Sequence, residues 1–409
     1  MESDPAFISL FSGAGGLDLG LEQAGWRNVY ASDIDSSAIA TIEANRGFRI
    51  DRRRRAFSHA FTEQADIRHV AARDILSKIG ARKGGIPLLA GGPPCQSWSS
   101  AGHQHGFKDP RGRLFDDFVR LAEELDARWL LLENVRGLLT ARGADGVPGS
   151  ALAYIRRRLL RAGFQTAVGL FNAADFGVAQ RRVRLFMLGF RAGDPPPFPL
   201  ATHAKSPGAA KTRRWTTLGE ALSALAPLGE SEIIRPSGKF VTELAALKPG
   251  QGVKSPGKSE VTRPGGHWGY KQGAFVADLS QSARTVTANA QQDWVHDAVH
   301  GLRRLCPREC AAIQGFPQDW FFAGPRAAQY RLIGNAVPPP LARHLGASLR
   351  HHCIGKKGAA PSSFRGLLPL PSSLLSAIAY TVRDEKTNGA SRKSGPRRRV
   401  SRDFADAAR

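Results

Sequence analysis

Phe7-Ile8-Ser9-Leu10-Phe11-Ser12-Gly13-Ala14-Gly15-Gly16 is the stretch that decides the fold. An apolar run, Phe7 to Phe11, meets a serine and glycine turn, and an amphipathic helical pattern follows from Leu17 to Ala24. The order is strand, tight turn, helix. A second strand, Val29 to Ser32, ends in Asp33, about 20 residues beyond the glycines, where nucleotide-binding βαβ units place a ribose-binding acid. Outward from there, apolar strands at Pro87 to Ala90, Trp129 to Leu132 and Val183 to Phe190 alternate with helical patterns at Leu114 to Leu125 and Ala151 to Ala162. Such alternation predicts an α/β fold with a doubly wound, mostly parallel sheet.

The alternation stops at Asp194-Pro195-Pro196-Pro197. From there to about Ala283 the chain is rich in Gly, Pro, Ser and Lys, and a structureless loop of that length would be unusual in a compact domain. The expected organisation is a first part of the main domain at 1–193, a small separate domain at 194–283, a return to the main domain at 284–353, and a basic tail at 354–409 without order. Regular patterning resumes at Arg284-Thr285-Val286-Thr287, in a helix near Pro307 to Gln314, and in a last helix from Leu341 to Leu349.

With 42% hydrophobic residues over 409 positions the chain can bury a large core, and its formal charge of +23 favours a polyanionic partner, nucleic acid first. Its apolar runs are far shorter than the roughly 20 residues that span a bilayer, and the acidic N-terminus does not resemble a secretion signal. A cytoplasmic protein is expected. The four cysteines are too few for a disulfide scaffold. Cys306 and Cys310 lack a second Cys/His pair at finger-like spacing, and read as a helix-start residue and a core residue; no metal site is expected there or at His351, His352 and Cys353.

Four features carry chemistry. The turn at Gly13, Gly15 and Gly16 admits a ligand to the backbone at a helix N-terminus, but Asp18 stands where a dinucleotide fingerprint has its third glycine. That disfavours hydride transfer and leaves room for an adenosyl ligand without a pyrophosphate. Cys95, in Gly91-Gly92-Pro93-Pro94-Cys95-Gln96-Ser97, follows a strand and two prolines that fix the backbone at the carboxyl edge of the sheet, where doubly wound folds bind ligands. A free cysteine is more often a small buried apolar side chain, yet these flanking residues suit neither a core strand nor a core helix. Glu133 ends the apolar strand that starts at Trp129; partial burial would raise its pKa and make it a proton donor, the alternative being a structural hydrogen-bonding group. In Gln180-Arg181-Arg182-Val183-Arg184, alternation puts Gln180, Arg182 and Arg184 on one face, placed to hold a phosphate or a base.

Taken in order, Phe11-Ser-Gly-Ala-Gly-Gly, Asp33, Asp66-Ile67, Pro93-Pro94-Cys95-Gln96, Glu133-Asn134-Val135, Gln180 to Arg184, Arg284-Thr-Val-Thr and Gly334-Asn335-Ala336-Val337 resemble the DNA cytosine-C5 methyltransferases, from about residue 6 to 350. The resemblance implies the fold of S-adenosylmethionine-dependent methyltransferases, Rossmann-like, with a target recognition domain at 194–283. It implies that Cys95 attacks C6 of a flipped cytosine, that Glu133 assists at N3, and that Arg184 holds the base with Arg182 nearby. S-adenosylmethionine would bind at Phe11, Gly13, Gly15, Gly16, Asp33, Ile34, Asp66, Ile67, Pro94, Leu114, Asn335 and Ala336. Ile34 departs from relatives that carry a Trp there, and Cys306 replaces a Thr in a helix cap. Lys254, Lys258, Arg263, His267, Trp268, Tyr270 and Lys271 suit contacts to duplex DNA, with Trp268 and Tyr270 equally suited to a small core.

The partner implied is double-stranded DNA, accompanied in a restriction-modification setting by an endonuclease acting on the same site, and the compact chain reads as a prokaryotic monomer. Two alternatives stand beside this one: a tRNA cytosine-C5 methyltransferase, whose Cys-Phe-Thr segment is missing here, and a catalytically inactive DNA-binding relative, which would tolerate loss of Cys95 or Glu133.

Overall fold

The computed structural model describes residues 4–94, 114–208, 211–253, 262–263, 267–268, 273–354 and 366–392, with 262–263, 267–268, 354 and 384–392 described by backbone alone. The opening stretch folds as β1 (Ala6–Leu10), buried at every position, and α1 (Gly16–Gln23). β2 (Arg27–Asp33), α2 (Ser36–Ala44), β3 (Phe61–Gln64), α3 (Ala72–Lys78) and β4 (Leu88–Gly91) follow. Then come α4 (Leu114–Glu124), β5 (Trp129–Val135), α5 (Ser150–Arg161), β6 (Gln165–Asn172) and β7 (Val183–Phe190).

The seven strands form one sheet in the order β3-β2-β1-β4-β5-β7-β6. β7 alone runs against its neighbours, so the sheet is mostly parallel, as expected. Alternate side chains feed opposite faces, as the two-residue strand period requires. Ile8 and Leu10 pack with α4 and α5 residues such as Phe118 and Leu159, whereas Phe7 packs with Leu17 and Leu21 of α1 and Leu341 and Leu345 beyond the sheet's other face. The strand order reverses between β1 and β4, and the crevice at their carboxyl ends is where such sheets bind ligands. α2, β3, α3 and β6 escaped the sequence reading. β3 shows why: Phe61-Thr-Glu-Gln is an edge strand of mostly polar residues without an apolar run.

Downstream lie the short strands β8 (His203–Ala204) and β9 (Arg213–Arg214), paired with each other, and the helices α6 (Leu218–Ser223) and α7 (Phe240–Ala245). β10 (Gln251–Gly252), β11 (Thr262–Arg263), β12 (His267–Trp268), β13 (Phe275–Val276), β14 (Trp294–Asp297) and β15 (Gly301–Arg304) complete the strands. The second sheet, β10-β13-β14-β15, takes two strands from either side of residue 283. Leu244, Val276 and Trp294 form its small core.

The chain returns through α8 (Pro307–Ile313), α9 (Arg326–Asn335) and α10 (Pro339–Ile354). Cys306 starts α8 as its N-cap, its N–H donating to Glu309 at 2.9 Å, and Cys310 is buried, as the sequence reading had them. α10 lies against α1 so closely that a Cβ on Gly20 would stand 2.3 Å from the Ala342 Cβ.

Within the tail, the described residues 366–392 depart from the expectation of disorder. Ser372–Arg392 form a helix, α11, whose Leu374 enters the core beside Leu370, Ala377 and Ile378. Arg156 donates to the Leu368 carbonyl at 2.5 Å and Gln165 to the Gly366 carbonyl at 2.6 Å. The tail's apolar residues gain order from a surface that exists only in the folded body. Among the described residues, no helix is long and apolar enough to cross a membrane.

Candidate active site

A cavity of about 320 Å³ opens at the carboxyl ends of β1, β2, β4 and β5. Phe11, Ser12 and Gly13 enter it from the turn after β1; Asp33, Ile34 and Asp35 from the end of β2; Gly92, Pro93 and Pro94 from the end of β4. Phe11 holds a left-handed conformation at φ 57, which costs a non-glycine residue on the order of 1–2 kcal/mol and is characteristic of functional sites. The Asp33 carboxylate accepts N–H bonds from Gly13 and Asp35, each at 2.9 Å, so both oxygens are fixed. Burial pushes its pKa up while those backbone bonds pull it down.

Glu133 arrives on β5, and Arg184 stands on the neighbouring β7 with its Nε 3.1 Å from Glu133 Oε1. Both side chains are nearly buried, at 12% and 14% exposure. Burial pushes the Glu133 carboxyl up from the usual carboxylate range, opposed by the charges of Arg184 and then Arg182. This favours the protonated acid more than an exposed glutamate would. Gly92 allows this approach, because a Cβ there would lie 3.0 Å from Glu133 Oε2. Asn134, next in the strand, donates to the Pro93 carbonyl at 3.2 Å and ties the proline turn to the glutamate strand.

The opposite wall comes from the return of the chain: Arg331, Leu332, Asn335, Ala336 and Val337. Its support is buried and long-range. Arg182, 1% exposed, donates to the carbonyls of Gly334 (2.7 Å), Val286 (3.0 Å) and Ala336 (3.1 Å). The Gln180 carboxamide accepts from Val286 N–H and donates to Gln314, each at 2.8 Å, and Gln314 donates to the Ile333 carbonyl at 2.6 Å. Arg182 is thus a buried brace holding this wall, whereas Arg184, on the same strand face, points its charge at Glu133.

The cavity gathers Phe11, Gly13, Gly16, Asp33, Ile34, Pro94, Asn335 and Ala336 with Glu133, Arg182 and Arg184. Gly15, Asp66, Ile67 and Leu114 are not in its lining. Gly15 is in left-handed conformation at φ 75 with the Phe57 ring packed where a Cβ would go. Asp66 caps a short turn and pairs with Arg68, whose hydrogen bond holds the carboxyl down at about 2, and Ile67 is in the core. Gly16 is required by packing as well, since its Cβ would meet the Val337 carbonyl oxygen at 2.3 Å. Gly13 alone of the three faces open space.

Cys95, Lys254, Lys258, Tyr270 and Lys271 lie outside the described residues, as do the side chains of Arg263, His267 and Trp268, whose backbones pair in a two-stranded ladder. The tether at Asn134 and the lining residue Arg331 do not follow from the sequence motifs. One signal was available for the second: Arg331 stands one helical turn before Asn335, on the same face of α9.

The site fits an adenosyl group on its own chemistry. A carboxylate fixed at the end of β2 suits vicinal hydroxyls, the Phe11 and Ile34 side chains suit a base, and the open face at Gly13 leaves space for a chain beyond the ribose. The fold and the site together define a class: a doubly wound α/β protein with a cavity at the sheet's carboxyl edge beside a nearly buried acid.

Comparison with known proteins narrows the class: residues 6–351 match the C-5 cytosine-specific DNA methylases, and the chain belongs to that family. It is a DNA cytosine-C5 methyltransferase. It is similar to the Type II methyltransferase M.FnuDI of Fusobacterium nucleatum, 30% identical over 363 residues covering 86% of this chain and 95% of that protein. It is also similar to M.Sau96I of Staphylococcus aureus, 31% identical over 355 residues, 84% of this chain and 75% of that one. Among solved structures, Spodoptera frugiperda DNMT2 shares the fold, with a TM-score of 0.59 at 16% identity, over 84% of this chain and 99% of that one.

Proposed function

We propose that this chain methylates C5 of a cytosine flipped out of duplex DNA, with Cys95 as nucleophile and Glu133 as the acid at N3. The observation that carries the proposal is the nearly buried Glu133, paired with Arg184 at the rim of a nucleoside cavity. In the reaction, the Cys95 thiolate forms a bond to C6, and the C5–C6 electron pair moves toward C5. Glu133, whose carboxyl burial pushes up from the usual range, hydrogen-bonds N3 and draws charge from the ring. Arg184 orients that carboxyl and holds the base. When bound, S-adenosylmethionine supplies the methyl group for C5. Loss of the C5 proton then returns the electron pair to the ring and expels Cys95. The base must leave the stack, because C6 is inaccessible within it.

In the same reading, Phe11, Asp33, Ile34 and Asn335 hold the cofactor, Arg182 positions the wall that carries Asn335, and residues 194–283 recognise the target sequence. The similar Type II methyltransferases favour a cognate endonuclease acting on the same site. The test is labelled S-adenosylmethionine incubated with unmethylated duplex DNA, with tRNA, and with the Cys95→Ser variant. Label in duplex DNA, absent with Cys95→Ser, is expected. Label in tRNA alone, or unchanged transfer by Cys95→Ser, overturns the proposal.

A further inference from the structure

The cavity's two walls are joined at its mouth by a charge pair. Arg331 of α9 reaches across to Asp35, with Nη2 at 2.6 Å and Nε at 3.2 Å from Asp35 Oδ2. The acceptor is held still: Asp35 Oδ1 accepts the Ser37 N–H at 2.9 Å and caps α2. Its backbone N–H donates to Asp33, whose other oxygen binds the Gly13 N–H. A continuous chain of hydrogen bonds thus runs from Arg331 through Asp35 and Asp33 to the glycine turn. The donor is freer, with the Arg331 side chain 47% exposed against 26% for Asp35. Between the two acids, Ile34 is 62% exposed, an apolar side chain that a ligand's base would cover.

We propose that Arg331 and Asp35 are a latch over the nucleoside end of the cavity, which slows departure of the adenosyl ligand. This rests on the reading of the cavity as the S-adenosylmethionine site. Opening requires only that the flexible arginine swing outward, while Asp35 stays in its helix cap. Because the pair is half in solvent, its effect is modest and screened by salt.

The test measures the dissociation rate of S-adenosylhomocysteine from the full chain by rapid-mixing displacement, for wild type, Arg331→Ala, Asp35→Asn and the double variant. Asp35→Asn keeps the capping oxygen and removes the charge. Each single variant is expected to release the probe roughly two- to fivefold faster, the size of a half-exposed ion pair. The double variant should be no faster than the single ones, and added salt should speed release from wild type but not from Arg331→Ala. A purely structural role for Arg331 would not produce that salt response. Unchanged release from Arg331→Ala, or additive effects in the double variant, overturns the latch. A wild-type chain that fails to bind S-adenosylhomocysteine overturns the reading of the cavity itself.

Discussion

The two walls of the cavity are built by different means. The wall from Phe11 to Asp35 and from Gly92 to Val135 is made where strands end, so each functional group sits at a place its own strand dictates, and neighbouring backbone N–H groups fix it, as at Asp33. The wall from Arg331 to Val337 has no strand behind it. It is held by Arg182, which reaches across more than a hundred residues of sequence to carbonyls in the return segment, by Gln180, which reaches as far to the Val286 N–H and to Gln314, and by Gln314, which donates to the nearby Ile333 carbonyl. The difference teaches that identical residue types two positions apart can serve opposite ends: Arg184 pairs with the carboxylate of Glu133, and Arg182 is spent on backbone carbonyls.

The largest test of the division is Glu133→Gln. If the strand-end wall carries the chemistry, labelled methyl transfer in a single turnover should fall about 10²- to 10⁴-fold, the usual worth of a positioned acid, while DNA binding persists. Retention of the rate would break the comparison at its first wall. Next is Arg182→Met, which should cost about 3 kcal/mol in denaturant unfolding by stranding buried carbonyls. Arg182→Lys should not rescue it, since an ammonium cannot reproduce the planar fork. Unchanged stability would mean that the second wall stands without its brace.

A third test concerns α1, which supports the glycine turn. Burial pushes the Glu22 carboxyl up to about 8 from an ordinary 4.5, against two hydrogen bonds from the Phe57 N–H. The folded state therefore holds this proton more tightly than the unfolded one. Its contribution is fully present below the unfolded pKa, and stability is lost as pH rises from about 4.5 through about 8. Glu22→Gln should flatten that slope, checked by denaturant midpoints at about pH 5 and about pH 8. An unaltered slope would assign it to other buried acids, such as Asp18, which burial raises to about 6.

Much of the first wall was legible in the sequence. Phe11, Asp33, Pro94 and Glu133 each close an apolar run, and a run that ends at a sheet edge delivers its last residue to the ligand crevice. β7 was legible to the residue, Val183 to Phe190, because every position from Leu185 onward is buried. The polar edge strand β3 and the helix α11 were not, since neither has a local pattern strong enough to announce it. The same limit applies to Asp66 and Ile67, whose motif placed them in the pocket and whose local turn places them outside its lining.

By itself, then, the order of apolar runs, glycine turns and strand-end polar residues determined a doubly wound sheet, the edge that works, and the family. Only the tertiary structure decided which glycines face open space and which face packing, that Arg182 braces backbone while Arg184 pairs with Glu133, and that Arg331 meets Asp35. Periodicity and turn chemistry are written in neighbouring residues. The partner of a buried guanidinium or carboxamide is set by which distant carbonyls the fold brings within hydrogen-bonding reach.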